Sequence, residues 1–99
     1  MTEQRIGKSG AAPFTLYSRS WCHLCEDMLA ALRALETPQQ PFAVTVLDVD
    51  LDAALVARFD ELVPVLYGDP DGPELCHYFL DAPAVQAYLA SRTATGAAS

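Results

Sequence analysis

The spacing of apolar residues between positions 14 and 48 constrains this chain more than any other feature. Residues 14–17, Phe-Thr-Leu-Tyr, alternate β-formers and predict a strand. Leu24, Met28, Ala31, Leu32 and Leu35 then fall on one helical stripe, which Pro38 and Pro41 close. Glu26 and Asp27 stand in its first turn, where the helix dipole favours acids. Residues 42–48, Phe-Ala-Val-Thr-Val-Leu-Asp, are almost continuously apolar and predict a buried strand. A strand, a crossover helix and a second strand at this spacing imply a right-handed parallel unit.

The remainder completes a sheet around that unit. A short helix is expected over residues 52–59, capped by Asp50 or Asp52. Residues 63–67 read as a strand entered through Pro64, which has no N–H to give to a ladder. Gly68-Asp-Pro-Asp-Gly72 is a turn, so residues 74–80 should return antiparallel. A last helix over 82–90 packs Val85, Tyr88 and Leu89. The order is β-α-β-α-β-β-α, an α/β class with one mixed four-stranded sheet and helices on both faces. At 99 residues one domain is expected, folded over 13–91, with flexible tails at 1–12 and 92–99 that hold no large apolar run.

Charge and cysteine usage narrow the function. The formal net charge of −7 and only six scattered basic residues exclude a phosphate-binding footprint, so no nucleic-acid partner is expected. Residues 1–12 lack the apolar run of a signal peptide or lipid anchor, which argues for a cytoplasmic protein without a membrane partner. Three cysteines in a reducing compartment do not make a structural framework, and a catalytic or metal role is left for them.

Two of the three form Trp21-Cys22-His23-Leu24-Cys25. A lone C-x-x-C serves zinc, iron–sulfur and redox sites alike, but here its context is a strand-to-helix loop. The helix N-terminus offers unpaired N–H groups that favour the thiolate of Cys22, the attacking species in thiol exchange. Residues three apart in a helical turn have Cα atoms roughly 5 Å apart, within the range a disulfide accepts. Cys25 shares the side of the helix that carries Leu29 and Leu32, so it is expected to be the buried, resolving thiol. Glu26 and Asp27 oppose thiolate formation, and Arg19 opposes them in turn if it folds over the site.

Trp21 is either a shield or partner contact for the dithiol or a partly buried loop aromatic. His23 either stabilises a neighbouring thiolate as imidazolium or is simply solvated. Cys76 and His77 adjoin on a strand and point to opposite faces, so at most one could join Cys22 and Cys25 around a metal. Cys76 is expected as a small buried apolar residue. Asp48, Asp50 and Asp52 resemble a carboxylate cluster, but capping at a helix start explains them.

The segment Leu16-Tyr-Ser-Arg19-Ser-Trp21-Cys22-His-Leu-Cys25 resembles the active site of the glutaredoxin and thioredoxin families, and Asp48-Val-Asp50, Phe59 and Val63-Pro64-Val-Leu66 match in order and spacing. The chain is most similar to small bacterial glutaredoxin-like proteins with a Cys-His-Leu-Cys dithiol. The resemblance implies a thioredoxin-like fold and a cis bond before Pro64. It also implies that Val63 offers its backbone to an extended substrate, and that Arg19 and Trp21 contribute to substrate binding. Glutaredoxins also hold glutathione with a Gly-Gly pair followed by Asp. Here Cys76-His77-Tyr78-Phe79-Leu80-Asp81 stands in that place and crowds it.

The expected function is therefore thiol–disulfide exchange on a protein or small-molecule disulfide, with Cys22 as nucleophile and Cys25 resolving. No metal or organic cofactor is called for, and glutathione or a reductase would supply electrons. The alternatives are a metal or iron–sulfur module using Cys22, or a redox-inert adaptor with Trp21 and Tyr67 as anchors.

Overall fold

The computed structural model describes residues 11–98, with side chains through Arg92. The first ten residues of the expected N-terminal tail and Ser99 lie outside the described residues. The elements are β1 (Ala12–Ser18), α1 (His23–Arg33), β2 (Phe42–Asp48), a 3-10 turn (Val49–Leu51), α2 (Ala53–Phe59), β3 (Val65–Tyr67), β4 (Glu74–His77) and α3 (Ala82–Ala98). The four strands form one mixed sheet in the order β2-β1-β3-β4. β1 and β2 are parallel over their full length, β1 and β3 antiparallel, and β3 and β4 an antiparallel hairpin. This is a thioredoxin-like α/β fold. No described helix is long and apolar enough to cross a membrane.

Alternation along the strands divides the core between two faces. Phe14 and Leu16 of β1, Leu66 of β3 and Cys76 of β4 face Met28 and Leu32 of α1 and Val85 and Leu89 of α3. On the other face Tyr17 and Val65 meet Phe59 of α2 and Val49 of the 3-10 turn. Aromatic pairs anchor both faces: Phe14 with Phe42 and Tyr88 on the first, and Tyr17 stacked on Phe59 at 4.4 Å on the second. Tyr88 also fixes the end of the sheet remote from the dithiol. Its hydroxyl donates to Pro13 O at 2.7 Å, and a Cβ on Gly68 would come within 2.5 Å of its ring, so only glycine lets the chain pass there.

Several local expectations change. β2 is an edge strand with Ala43, Thr45, Val46 and Leu47 exposed, and only Phe42 is fully buried on it. A continuous apolar run cannot say whether a strand lies inside a sheet or at its rim. The start of that rim is closed by side chains: Glu36 accepts from Phe42 N at 2.7 Å, and Arg33 donates to Phe42 O. Leu24 leaves the helical stripe for solvent, and the buried line along α1 is Cys25, Met28 and Leu32. β3 and β4 are shorter than expected, because Pro64 precedes the first ladder pair and Tyr78, with φ +65°, ends the second. α3 runs past Ala90 to Ala98, through a stretch whose Thr93, Thr95 and Gly96 are poor helix formers and which offers no large apolar residue to signal it.

Candidate functional site

The dithiol lies at the sheet edge where the parallel strands end, the usual ligand edge of an α/β sheet. Ser18 pairs with Asp48 at the end of β1 and β2. On its other side the antiparallel register sets Tyr17 against Val65, so the residue just before β3, Pro64, borders the loop that carries Cys22. Tyr78 continues the row, donating its N–H to Pro64 O at 2.9 Å. The loops of residues 19–22, 48–52, 60–64 and 78–81 therefore share one rim.

Cys22 is the N-cap residue of α1, with extended φ and ψ. Its Sγ accepts from the Cys25 N–H at 3.1 Å, the bond a serine or aspartate cap would otherwise accept. A helix N-terminus aimed at sulfur stabilises a thiolate there by hydrogen bonding and by the dipole. Cys22 and Cys25 have Cα atoms 5.2 Å apart, and their sulfurs lie at disulfide distance. Cys22 is half-buried and Cys25 is 3 % exposed, so only the first sulfur can be approached from solvent. The alignment of Cys25 with Met28 and Leu32 produces this asymmetry, since the stripe that buries the helix also turns the second sulfur inward.

The loop before the dithiol is held by long-range polar contacts. Arg19 donates from Nε and Nη2 to the two carboxylate oxygens of Asp50, at 3.2 and 2.9 Å, and from Nη2 to Asp60 Oδ1 at 2.8 Å. Its Nη1 also reaches Asp60 O at 3.3 Å. Hydrogen bonds to these carboxylates push the guanidinium pKa further up, so it stays charged at every accessible pH. Ser20 Oγ adds a 3.5 Å contact to Asp48. Arg19 thus points away from Glu26 and Asp27 and toward the loops after β2 and α2. Asp50 serves as its partner and caps nothing; Asp52 caps α2 through Ala54 N, and Asp48 caps the 3-10 turn through Asp50 N.

Trp21 is 99 % exposed and has φ +60°, a left-handed conformation unusual for an aromatic residue. Such strain collects at functional loops, where surrounding contacts enforce it. Packing therefore gives no reason for an indole at this position. His23 is also out in solvent, with Nδ1 3.9 Å from Glu26. The Val63–Pro64 peptide is cis. Pro64 is buried, and Val63, half-buried, donates its N–H back to Phe59 O at 3.1 Å.

Tyr78 is the residue that sequence reasoning undervalued. Its N–H holds Pro64 and its hydroxyl holds Glu61 O, so it braces the loop of residues 60–64 from the β4 side while Arg19 braces it from the dithiol side. The only signal in the sequence was an aromatic residue where the resembled family has glycine. Neighbouring Phe79 is 70 % exposed. Cys76 lies in the core below, and burial raises its thiol pKa. His77 points outward to Glu74 at 2.7 Å, so these neighbours do face opposite ways. Tyr67, an expected adaptor anchor, is half-buried against Tyr17 and Phe59. Among the described residues no group of three or more His, Cys, Asp or Glu side chains converges as a metal site. A groove bordered by Pro13, Pro70, Gly72 and Tyr88 lies at the end of the sheet opposite the dithiol.

The comparisons agree with this geometry. The model of the Glutaredoxin-like domain (DUF836) matches residues 14–90. The solution NMR structure of protein Ne2328 from Nitrosomonas europaea is similar, with 39 % identity, a TM-score of 0.68, and 78 % of this chain and 89 % of that one covered. The X-ray structure of target protein XcR50 from X. campestris is also 39 % identical, with a TM-score of 0.60 over 79 % of this chain and 96 % of that one. No curated protein matches the chain. A family match across almost the whole folded region, on a chain whose paired cysteines fit a redox role, makes this protein a member of the glutaredoxin-like domain family within the thioredoxin superfamily.

Proposed function

We propose that this protein is a dithiol thiol–disulfide oxidoreductase. The observation that carries the reading is the N-cap position of Cys22, whose sulfur accepts the Cys25 N–H while Cys25 itself is buried 5.2 Å away between Cα atoms. In the reduced protein the Cys22 thiolate attacks one sulfur of a substrate disulfide. The substrate S–S bond breaks, a mixed disulfide forms, and the first thiolate leaves and takes a proton. Cys25 then loses its proton and attacks Cys22 Sγ, which expels the second substrate thiolate. Two electrons pass to the substrate, and the Cys22–Cys25 disulfide is left for an external dithiol or thiol to reduce.

The surroundings support this division of labour. The exposed Trp21, the backbone of Val63 and the buried Pro64 border the approach to Cys22 and would guide the substrate segment. A reducing cytoplasm, with a reductase as donor, would keep the dithiol ready. The test is chemical trapping with a peptide disulfide. Wild-type protein should release two substrate thiols and end as the intramolecular disulfide. Cys25→Ser should stop at a stable mixed disulfide through Cys22, and Cys22→Ser, which lacks the attacking sulfur, should lose turnover. Turnover retained by Cys22→Ser would sink the proposal.

A further inference from the structure

Four arginines supply the described cations apart from histidine, and their engagements differ. Arg33 lies at the far end of α1, bound to Glu36 and Phe42 O; Arg58 covers the Phe59 ring; Arg92 approaches Tyr88. Arg19 alone belongs to the loops around the dithiol. Its three nitrogens are divided between two carboxylates and a carbonyl, and the ion pairs measure 2.9 and 2.8 Å. One positive charge set against two negative ones leaves this corner anionic. Asp48 and Glu61 on the same rim, and Glu26 and Asp27 at the start of α1, add to it. Among the exposed side chains beside the dithiol, Trp21 and Leu24 are apolar, as is Phe79 beyond Tyr78, while His23 and Glu26 are polar and face each other at 3.9 Å.

We infer that Arg19 is a positioning residue and not an anion receptor, and that the site takes disulfides on neutral or cationic, apolar-flanked protein segments and disfavours anionic thiols such as glutathione. This rests on the disulfide exchange proposed above. Two arguments carry it. An Arg fork already satisfied by a bidentate carboxylate and a second carboxylate must give up charge-assisted bonds before it can bind a ligand carboxylate. The field of the remaining acids meanwhile raises the local concentration of cations and lowers that of anions. Arg19 ties the dithiol loop to Asp60, and Tyr78 ties the same 60–64 loop to β4. The guanidinium therefore sets the distance between Cys22 and the Val63–Pro64 wall.

The experiment measures second-order oxidation of the fully reduced protein by three small disulfides: cystamine, which is dicationic, hydroxyethyl disulfide, which is neutral, and oxidised glutathione, which is anionic. Each rate is divided by that of the same disulfide with dithiothreitol, which removes differences in leaving group. The expected order is cationic, neutral, anionic, with about a fivefold or larger span at low ionic strength that collapses in high salt. In Arg19→Lys, which keeps the charge and loses the fork, all three rates should fall by a common factor. Should oxidised glutathione match or exceed cystamine in the wild type, or change by a factor of its own in Arg19→Lys, Arg19 is an anion receptor and the inference fails. If that variant does not fold, the wild-type order and its salt dependence still decide. A protein inert even to hydroxyethyl disulfide overturns the oxidoreductase reading itself, and the inference with it.

Discussion

The two faces of the sheet are built differently. Under α1 and α3, ten buried residues among those described form a continuous apolar layer that includes Phe14, Leu32, Leu66 and Val85. Under α2 the buried cluster among the described residues is Tyr17, Val49, Phe59 and Val65, and polar contacts supplement it: Arg58 lies 4.5 Å over the Phe59 ring and also reaches the Tyr67 hydroxyl at 3.4 Å. On this thinner side stand Asp50 and Asp60, the partners of Arg19. The thick face holds the chain folded and turns Cys25 inward on α1. The thin face, joined by ion pairs that contribute little stability at a surface, sets where the loops lie around Cys22. Stability and site geometry are thus drawn largely from opposite sides of one four-stranded sheet.

Mutations on each side can sharpen or break that division. The largest effect is expected for Leu32→Ala, which empties a fully buried position on the thick face and should cost about 3 kcal/mol in denaturant unfolding. A loss below about 1 kcal/mol would mean that this face is not the main store of stability. Arg58→Ala on the thin face should cost only about 0.5–1 kcal/mol, the worth of an exposed cation–π contact. A cost approaching that of Leu32→Ala would erase the contrast.

The smallest effect concerns Cys76, whose pKa burial raises within the thick face. A thiol that ionises at higher pH in the folded chain than in the unfolded one contributes stability that is complete below the unfolded pKa and is lost as pH rises through the folded one. Stability should therefore decline above about pH 8.5, the ordinary thiol range. Cys76→Ala should flatten part of that decline in unfolding curves between neutral and alkaline pH. An unchanged slope would assign the decline elsewhere, Tyr88 being the other group whose pKa burial raises.

Much of the site was legible because its signals are local. The dithiol, the strand before it and the helix after it lie within residues 12–33, and their periodicity put Cys25 on the buried stripe. The hairpin at Gly68–Gly72 and the element order were equally local. What escaped depends on partners far away in the chain. Arg19 meets Asp50 and Asp60 across 31 and 41 residues, and no spacing rule selects those acids over Glu26 or Asp27. The edge position of β2 follows from strand order, which an apolar run such as Ala43-Val44-Thr45-Val46 does not encode. Tyr78 escaped because a left-handed tyrosine contradicts its own backbone preference, and only the contacts to Pro64 and Glu61 account for it.

The central claim is that Cys22 and Cys25 act as one two-electron couple. A redox titration against glutathione buffers, read by thiol trapping and mass spectrometry, tests it directly. The account predicts a reversible two-electron transition to the intramolecular disulfide between roughly −300 and −120 mV, the span of known dithiol enzymes. If no Cys22–Cys25 disulfide forms anywhere in that span, the dithiol mechanism is contradicted.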